Sequence, residues 1–378
     1  MPRSRRIETD LGAAISAAMP ELERLREAAA GKSLYLVGGA VRDLLLGQAR
    51  GDLDVAVEGD AVEVARSLGG EAVEHERFST AKASLGEVEI DLASTRTESY
   101  PAPGALPEVK PAGLREDLAR RDFTVNAMAV PLQGDPELID PHSGRPDLEA
   151  GLLRVLHRRS FTDDPTRALR AARYAARFGF KLEPRTAELI READLSTVSA
   201  DRRAAELLRL ASEPQAPRAL ALAAGWGLVR ERPGARDLVP AVDGLLAKPP
   251  WREVAARPRA MLVAALGPAG REAELAAAHP TRPSEAVELA RGARPEELVL
   301  ARAMGGEWLD EYLREWRGVV LEIDGSELIA AGVPEGPAVG RGLREALRRK
   351  LDGEISGRAE ELKVAIEAAA EERGTRNE

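Results

Sequence analysis

The sequence predicts an α+β fold, in which an N-terminal mixed β-sheet head is followed by an all-helical neck, body and tail. Alternation of apolar and polar residues, which is typical of strands, is confined to about residues 33 to 140. After Leu152 the chain is rich in Ala, Leu, Arg and Glu at helical spacing, with breaks at Pro233-Gly234 and Pro249-Pro250. The length of 378 residues predicts two or three domains. The pattern divides the chain into a head (1–140), a neck (141–215), a body (216–320) and a tail (321–378).

The head begins with a strand, a glycine turn and a helix. Leu34 to Val37 is a short apolar run of strand type, and Gly38 and Gly39 interrupt it. A short helix then ends at Gly47. A glycine turn at the start of a helix offers backbone N–H groups, which can bind a phosphate.

Two aspartates one residue apart follow this turn. Asp52 and Asp54 lie in an alternating segment, so a strand would place both carboxylates on one face. Paired carboxylates can hold magnesium, which takes oxygen ligands and shares them with substrate phosphates. Each feature alone is common in plain turns and exposed strands, but their order and spacing favour nucleotidyl transfer. A second alternating segment, Val88 to Leu92, offers Asp91 as a third carboxylate in preference to Glu89.

Three ordered blocks carry a resemblance to a known family. The blocks are Gly38 to Asp43 with Asp52 and Asp54, then Asp117 to Met128, and then Asp163 to Arg173. They resemble the motifs of class II tRNA nucleotidyltransferases and bacterial poly(A) polymerases, within the DNA polymerase β superfamily. The resemblance covers residues 34 to 180, with a weaker match at 332–352. It implies a catalytic nucleotidyltransferase head in which Gly38, Gly39 and Arg42 contact the nucleotide.

The third block suggests how a base could be read without a nucleic-acid template. In a helix, four arginines fall on one face and alanines on the opposite one; the arginines are Arg167, Arg170, Arg173 and Arg177. Cytosine and adenine each present an amino donor beside a ring-nitrogen acceptor, whereas uracil and guanine present the reverse order. A carboxylate beside an arginine therefore accepts C or A and rejects U or G. The resemblance implies that Asp164 and Arg167 form this pair, although a helix cap with a solvated arginine stripe is the structural alternative.

The second block and the segment before it supply further candidates. Arg121 and Asn126 could position triphosphate or ribose. The resemblance places Asp122 near the nucleotide, while a salt bridge to a neighbouring arginine of the same block is equally plausible from sequence. The density of Pro and Gly from Ser99 to Gly113 predicts a loop without regular structure. By resemblance such a loop helps to switch between adding C and adding A, and a plain surface connection is the alternative.

Composition and charge narrow the function classes. The chain has no cysteine and four scattered histidines, which argues against thiolate or histidine metal sites and agrees with a cytoplasmic protein. No apolar run approaches the length of a membrane span.

The net charge is −9, yet residues 151–210 hold thirteen Lys or Arg against eight Asp or Glu. RNA binding depends on such local patches. A predicted basic helix in the tail adds candidate tRNA-binding residues, which are Arg341, Arg344, Arg348, Arg349 and Lys350.

The resemblance implies an enzyme that builds or repairs the CCA end of tRNA from CTP and ATP. The tRNA 3′-hydroxyl would attack the nucleotide α-phosphate and expel pyrophosphate. Asp52 and Asp54 would hold two magnesium ions, and Asp91 would act at the hydroxyl side. The rival enzymes are an A-adding or CC-adding specialist and a poly(A) polymerase. A catalytically dead RNA-binding protein is the rival from another class, and the three intact aspartates argue against it. No protein partner and no oligomeric state can be predicted from the sequence.

Overall fold

The computed structural model describes residues 10–48, 53–68, 79–86 and 88–370. The chain folds into two compact units, Met1–Arg230 and Glu231–Glu378. The first unit contains the predicted mixed sheet, and the second is helical in its described part. The α+β prediction is therefore confirmed. The four-part division into head, neck, body and tail stays a prediction.

A five-stranded mixed sheet forms the centre of the first unit. The strands of the described residues are β1 (Ser33–Val37), β2 (Leu53–Glu58), β3 (Thr80–Leu85), β4 (Val88–Ser94), β5 (Arg96–Ser99), β6 (Glu108–Pro111), β7 (Ala129–Pro131), β8 (Leu152–Leu153) and β9 (Lys181–Leu182). The central sheet has the order β3-β4-β2-β1-β7. Strands β2 and β4 are parallel, and the other neighbouring pairs are antiparallel. A parallel pair in the middle of the sheet aligns residues of two segments that are distant in sequence.

Eleven helices of the first unit surround this sheet, counted over its described residues. They are α1 (Leu11–Ala18), α2 (Leu22–Ala28), α3 (Gly39–Leu45), α4 (Ala61–Ser67), α5 (Leu114–Ala119), α6 (Gly144–Ala150), α7 (Ser160–Asp163), α8 (Thr166–Phe178), α9 (Pro184–Leu189), α10 (Ala200–Ala211) and α11 (Ala216–Gly225). Asp60 caps α4 by accepting from the backbone N–H groups of Val62 and Glu63. The alternation seen in the sequence becomes a buried face of the sheet, where Leu34, Leu36, Val57, Ile90 and Leu92 have no exposed surface.

The segment predicted as an irregular loop overlaps a β-hairpin and includes its second strand, β6. Strands β5 and β6 pair antiparallel from Arg96 opposite Pro111 to Ser99 opposite Glu108. The prediction of a loop from Ser99 to Gly113 is therefore wrong at Ser99 and at 108–111, and correct for residues 100–107 and 112–113. Proline weighs against a central strand because it lacks an N–H donor, but Pro111 ends an edge strand of a two-stranded sheet, where that donor is not required.

Helix α8 carries the predicted alanine face. The alanines at positions 168, 171, 172, 175 and 176 are at most 2% exposed. Small side chains let α8 pack closely against its neighbours α10 and α11. The helix ends at Gly179, whose φ of 68° is the left-handed conformation that favours glycine at a helix C-terminus. This packing fixes the opposite face of α8 with its arginines.

The second unit is built from helices in its described part. They are α12 (Ala235–Leu246), α13 (Arg257–Leu266), α14 (Glu272–Ala277), α15 (Pro283–Ala290), α16 (Pro295–Ala303), α17 (Trp308–Glu311), α18 (Gly325–Ala330), α19 (Pro337–Leu351) and α20 (Arg358–Ala370). Helices α19 and α20 approach closely at Gly342, where a Cβ atom would lie 2.3 Å from the carbonyl oxygen of Ala365. Leu328 and Ala346 are fully buried in the small core beside this contact. Within the described ranges, no helix is both long and apolar enough to cross a membrane.

Candidate active site

A polar cavity of about 770 Å³ in the first unit collects all of the predicted catalytic and nucleotide-binding residues except Asp52. The predicted residues that line it are Gly38, Gly39, Arg42, Asp54, Asp91, Arg121, Asp122, Asn126, Asp164, Arg167, Arg170 and Arg173. Asp52 lies outside the described residues. The tail cations belong to the second unit and do not line this cavity. Residues from three separated sequence blocks therefore meet at one site.

The acidic edge of the cavity comes from two neighbouring strands. Asp54 on β2 and Asp91 on β4 are direct partners in the parallel register. Asp91 Oδ1 lies 3.0 Å from Lys82 Nζ. Glu89 instead accepts a hydrogen bond from Ser84 Oγ at 2.7 Å and does not line the cavity. The register thus favours Asp91 over Glu89 as the third carboxylate.

Carboxylate oxygens are the donors that magnesium prefers, so the described edge fits this ion chemically. Within the described ranges, no three His, Cys, Asp or Glu side chains form a group that could hold a metal. Asp52 precedes Asp54 by two positions, the spacing at which side chains of a strand share a face. A site of three carboxylates therefore depends on a residue beyond the described ones.

The glycine turn brings the backbone close to an arginine and an aspartate. Gly38 has a φ of 69°, and a Cβ there would lie 2.6 Å from Arg121 Nη1 and 3.6 Å from Asp54 Oδ2. Only glycine fits both the conformation and the contact. Arg121 Nε is buried and has no hydrogen-bond partner among the described residues. An arginine with a spare donor beside a glycine turn suits a phosphate group.

Asp117 orients Arg121. Its buried carboxylate accepts from Arg121 Nη2 at 2.8 Å and from Arg120 Nη2 at 2.7 Å. It also accepts from the backbone N–H of Arg96 at 3.3 Å. Burial alone would raise the pKa of Asp117, but the guanidinium groups of Arg121 and Arg120 outweigh it and hold the pKa below its usual value. The folded protein therefore stabilises the charged form of the Asp117 carboxylate.

Replacing Asp117 with Asn should lower the free energy of unfolding at pH 7 by about 3 kcal/mol, because it removes a buried carboxylate that is the ion-pair partner of Arg121 and one of the two partners of Arg120. A carboxyl whose folded pKa is depressed stabilises the fold above its unfolded pKa and loses that effect as pH falls through the folded pKa. The difference in free energy of unfolding between Asp117→Asn and the parent should therefore become smaller below about pH 4. Urea unfolding at several pH values measures this difference. Asp135→Asn is the control, since that exposed side chain has no hydrogen bond or ion pair in the described structure. Equal stabilities of Asp117→Asn and parent at pH 7 would contradict the assignment.

Asp122 joins the head to helix α8. Its Oδ2 lies 2.7 Å from Arg170 Nη2, and its Oδ1 accepts from Asn126 Nδ2 at 2.9 Å. Asn126 Oδ1 in turn accepts from Arg42 Nη1 at 2.7 Å. The Arg42 guanidinium also lies 4.5 Å from the centre of the Phe178 ring. The suggested bridge from Asp122 to a neighbouring arginine of its own block is thus wrong, because the partner comes from α8.

This buried chain of bonds has an electrostatic consequence. Burial would raise the pKa of Asp122, but Arg170 and the amide of Asn126 lower it overall. Four predicted nucleotide ligands, Arg42, Asp122, Asn126 and Arg170, therefore satisfy one another while lining the cavity. They connect α3, the helix after the glycine turn, to α8.

The predicted base-reading pair, Asp164 and Arg167, lies at the start of α8. Asp164 Oδ1 accepts from Thr166 N at 3.1 Å and from Thr166 Oγ1 at 2.6 Å. Arg167 Nη1 donates to Ser160 Oγ at 2.8 Å, and its Nη2 donates to the carbonyl oxygen of Arg120 at 2.7 Å. These bonds leave Asp164 Oδ2 without a hydrogen bond to the described part of the chain, and part of the Arg167 donor set unused. Asp164 therefore caps the helix with one oxygen and presents the other.

The rest of the arginine face is less available than the sequence suggested. Arg173 Nε donates to Glu213 Oε1 at 3.0 Å, and Arg177 Nε donates to Glu213 Oε2 at 2.7 Å. Glu206 on α10 also lies 3.4 Å from Arg173. Four arginines on one helix face repel one another unless acids are placed beside them. Arg173 and Arg177 both line the main cavity, as the predicted arginine face implies, but their bonds to the buried Glu213 occupy part of each guanidinium.

The tail cations of α19 are largely ion-paired. Arg348 lies 2.9 Å from Glu345 and 3.1 Å from Asp352, Arg349 lies 2.8 Å from Glu345, and Lys350 lies 2.6 Å from the buried Glu361. The Glu345 hydrogen bond raises the pKa of Arg348 above its ordinary value. Arg341 and Arg344 line a second cavity of about 530 Å³. Arg344 forms no hydrogen bond or ion pair within the described residues.

Several residues that line the main cavity were not predicted as site residues, among them Glu98, Tyr100, Arg120 and Arg202. Glu98 accepts from Arg120 Nη1 at 2.8 Å and from Tyr100 OH at 2.9 Å. Tyr100 OH lies 3.4 Å from Arg167 Nη2. Arg120 lies inside a predicted block and Tyr100 inside the predicted loop, but no local pattern marks Arg202, because its contacts with Gly104 and Asp164 join segments far apart in the chain.

Comparisons with known proteins agree with this geometry. A family model described as the poly A polymerase head domain matches residues 34–154. A CC-adding tRNA nucleotidyltransferase from Deinococcus radiodurans is 36% identical over 357 residues, covering 91% of each chain. An A-adding tRNA nucleotidyltransferase from Halalkalibacterium halodurans is 48% identical over 177 residues, covering 44% of this chain and 42% of the relative. The chain spans less than half the length of this and two other A-adding relatives.

Solved structures share the fold along nearly the whole chain. An apo form of a CCA-adding enzyme aligns with a TM-score of 0.79 and 29% identity, covering 96% of this chain and 99% of the other. The Thermotoga maritima CCA-adding enzyme complexed with tRNA aligns with a TM-score of 0.70 and 27% identity, covering 96% of each chain. The likeness therefore extends beyond the head to both units.

Proposed function

Because the chain belongs to the tRNA nucleotidyltransferase family, we propose that it adds or repairs the 3′-terminal CCA of tRNA, using CTP and ATP. The observation that carries the proposal is that one cavity holds both an acidic edge, with Asp54 beside Asp91, and the Asp164–Arg167 pair. The acidic edge suits nucleotidyl transfer, and the Asp164–Arg167 pair suits selection of a base. The cytoplasm is the proposed compartment.

The reaction is an in-line attack of the tRNA 3′-hydroxyl on the α-phosphate, with pyrophosphate as the leaving group. Asp54 and Asp52 would hold two magnesium ions, which when bound stabilise negative charge on the attacking and leaving oxygens. Asp91 lies beside Asp54 and would bind at the hydroxyl side. Arg121, with its buried spare donor next to Gly38, would orient the triphosphate.

Selection of the nucleotide rests on the Watson–Crick edge of the incoming base. Asp164 Oδ2 accepts from the amino group of C or A, and Arg167 donates to the neighbouring ring nitrogen. Uracil and guanine would place a carbonyl oxygen against the carboxylate and an N–H against the guanidinium. In this proposal the neck supplies the template and Arg170, Asp122 and Asn126 hold it in register with the head.

Transfer to tRNA is the test of this function. Purified protein with magnesium, CTP and ATP should extend a tRNA that lacks its CCA end. A hairpin RNA of the same length and an unrelated sequence is the matched control, and it should not be extended. Efficient addition of A residues to the hairpin would favour a poly(A) polymerase. If neither RNA is extended, the proposed enzyme function is refuted and a catalytically dead RNA-binding protein is the remaining candidate.

One observation favours a second candidate. A relative that aligns over 91% of this chain and over 91% of its own length is named a CC-adding enzyme. A CC-adding specialist needs the same acidic edge and the same base-reading pair, so both remain compatible with the cavity. The two candidates differ in whether ATP is used once two cytidines are present.

Contact with tRNA phosphates is proposed for α19 in the tail, and Arg344 is its best candidate because it lacks an ion-pair partner in the described structure. Replacing Arg344 with Gln should weaken tRNA binding about fivefold near 0.15 M salt and reduce the slope of log K against log salt by about one. Equilibrium binding at four salt concentrations measures both. Arg349→Gln is the matched control and should change the slope less, since Glu345 already bonds Arg349. Equal slopes for Arg344→Gln and parent would remove Arg344 from the tRNA surface.

A further inference from the structure

One guanidinium on α10 bridges the base-reading carboxylate and the loop of residues 100–107. Arg202 Nη2 donates to Asp164 Oδ1 at 3.1 Å, and Arg202 Nη1 donates to the carbonyl oxygen of Gly104 at 2.8 Å. Arg202 lines the main cavity. Neither the predicted motifs nor the alternation of the sequence includes this residue.

The bond to Asp164 determines which oxygen faces the base. Asp164 Oδ1 receives three donors, two from Thr166 and one from Arg202. Thr166 belongs to the first turn of α8, directly after Asp164 in the chain, and donates to Oδ1 from that side. Arg202 donates to the same oxygen from α10, and because this second bond comes from a different direction it restricts rotation of the Asp164 carboxylate. Without it the carboxylate can turn about its bond to the chain, and Oδ2 no longer points in one direction.

The bond to Gly104 adds the loop to this arrangement. The backbone N–H of Gly104 donates to the carbonyl oxygen of Asp163 at 3.2 Å. Gly104 has a φ of 70°, and a Cβ there would lie 2.7 Å from the carbonyl oxygen of Thr197. The loop is therefore seated against the neck at one glycine. Through Tyr100 OH, 3.4 Å from Arg167 Nη2, the same loop also reaches the second member of the pair.

We propose that Arg202 is a positioning residue that sets nucleotide specificity, by holding Asp164 with Oδ2 toward the base and by coupling this orientation to the seating of the 100–107 loop. The proposal rests on the proposed function for the assignment of Asp164 and Arg167 as base readers. It assigns to Arg202 a role in choosing among nucleotides and none in the transfer step.

Equilibrium binding of CTP, ATP, UTP and GTP tests this without requiring turnover. Arg202→Met keeps the length and apolar stem of the side chain and removes both donors. It should reduce the preference for CTP and ATP over UTP and GTP about fivefold to tenfold, since one charge-assisted hydrogen bond is lost. Arg202→Lys keeps the charge and should restore part of the preference. Arg203→Met is the matched control on the same helix, since Arg203 does not line the cavity and, within the described part of the chain, donates only to the carbonyl oxygen of Leu195.

A double-mutant cycle tests the coupling to the loop. Gly104→Ala should displace the loop because of the contact with Thr197. If Arg202 transmits loop position to Asp164, the losses of preference caused by Gly104→Ala and Arg202→Met should be less than additive. Fully additive losses would overturn the coupling, and melting temperatures of all variants show whether the fold is retained.

The outcomes separate this inference from the proposed function. A preference that is unchanged in Arg202→Met, or equal weakening of all four nucleotides, would overturn the positioning role. A parent protein that prefers CTP and ATP but transfers neither to tRNA would refute the proposed function and still allow Arg202 to be judged by binding. A parent without any preference would refute the base-reading pair and the role of Arg202 together.

Discussion

Replacing Asp54 with Ala is expected to slow nucleotidyl transfer about a thousandfold or more, because bound magnesium supplies several kcal/mol of charge stabilisation to the reaction. Asp54 lines the cavity beside Asp91 in the parallel register of β2 and β4. Affinity for tRNA should survive, since the proposed phosphate contacts of the tail lie in the other unit. Initial rates with magnesium and a truncated tRNA, together with a tRNA binding curve, measure both quantities.

The neighbouring strand provides a matched comparison. Asp91→Ala should also lose most of the activity, whereas Glu89→Ala should retain turnover, since Glu89 bonds Ser84 and does not line the cavity. Near-normal turnover by Asp54→Ala in magnesium would refute the metal site. Equal losses in Asp91→Ala and Glu89→Ala would show that the register alone does not identify the third carboxylate.

Replacing Asp164 with Ala is expected to change which nucleotides are used as well as how fast. The variant loses the acceptor for the amino group of C or A and also the oxygen that rejects U and G. A mismatch of this kind costs about 1–3 kcal/mol, or roughly tenfold to a hundredfold in discrimination. Kinetics with all four nucleotides on one truncated tRNA measure the effect. Asp54→Ala, by contrast, should lose speed with the preference for CTP and ATP intact.

A second substitution at the same position separates base reading from helix capping. Asp164→Asn keeps an oxygen that can accept from Thr166 and Arg202, while the other atom becomes an amide donor. It should lose preference for CTP and ATP with little loss of stability. If Asp164→Asn and Asp164→Ala slow all nucleotides equally and the preference persists, Asp164 is only a cap and the template lies elsewhere.

Local patterns in the sequence were sufficient for the elements that carry the site. Alternation predicted β2 and β4, and the alanine spacing predicted the buried face of α8. The contact between Asp54 and Asp91 was not predictable in this way, because strand register depends on pairing between segments 37 residues apart in number. The sequence nominated both carboxylates, and the fold places them side by side.

The ion-pair partners were beyond sequence reasoning for the same reason. Arg170 binds Asp122, which lies 48 positions earlier, and Arg173 binds Glu213, which lies 40 positions later. The helical spacing of arginines in a sequence is the same whether their guanidinium groups face solvent, substrate or a buried glutamate. The hairpin of β5 and β6 shows a related limit, since Pro111 argues against a strand until its edge position is known.

The central claim is that this one cavity completes the CCA end, and an assay with three tRNA substrates tests it most directly. The substrates end before CCA, after the first C and after CC, and each is offered CTP alone, ATP alone or both. With both nucleotides all three should finish as CCA. CTP alone should add only the missing cytidines, and ATP alone should add one A to the third substrate only. A product that stops at CC in the presence of ATP, or addition confined to the third substrate, would contradict the claim and identify a CC-adding or an A-adding specialist.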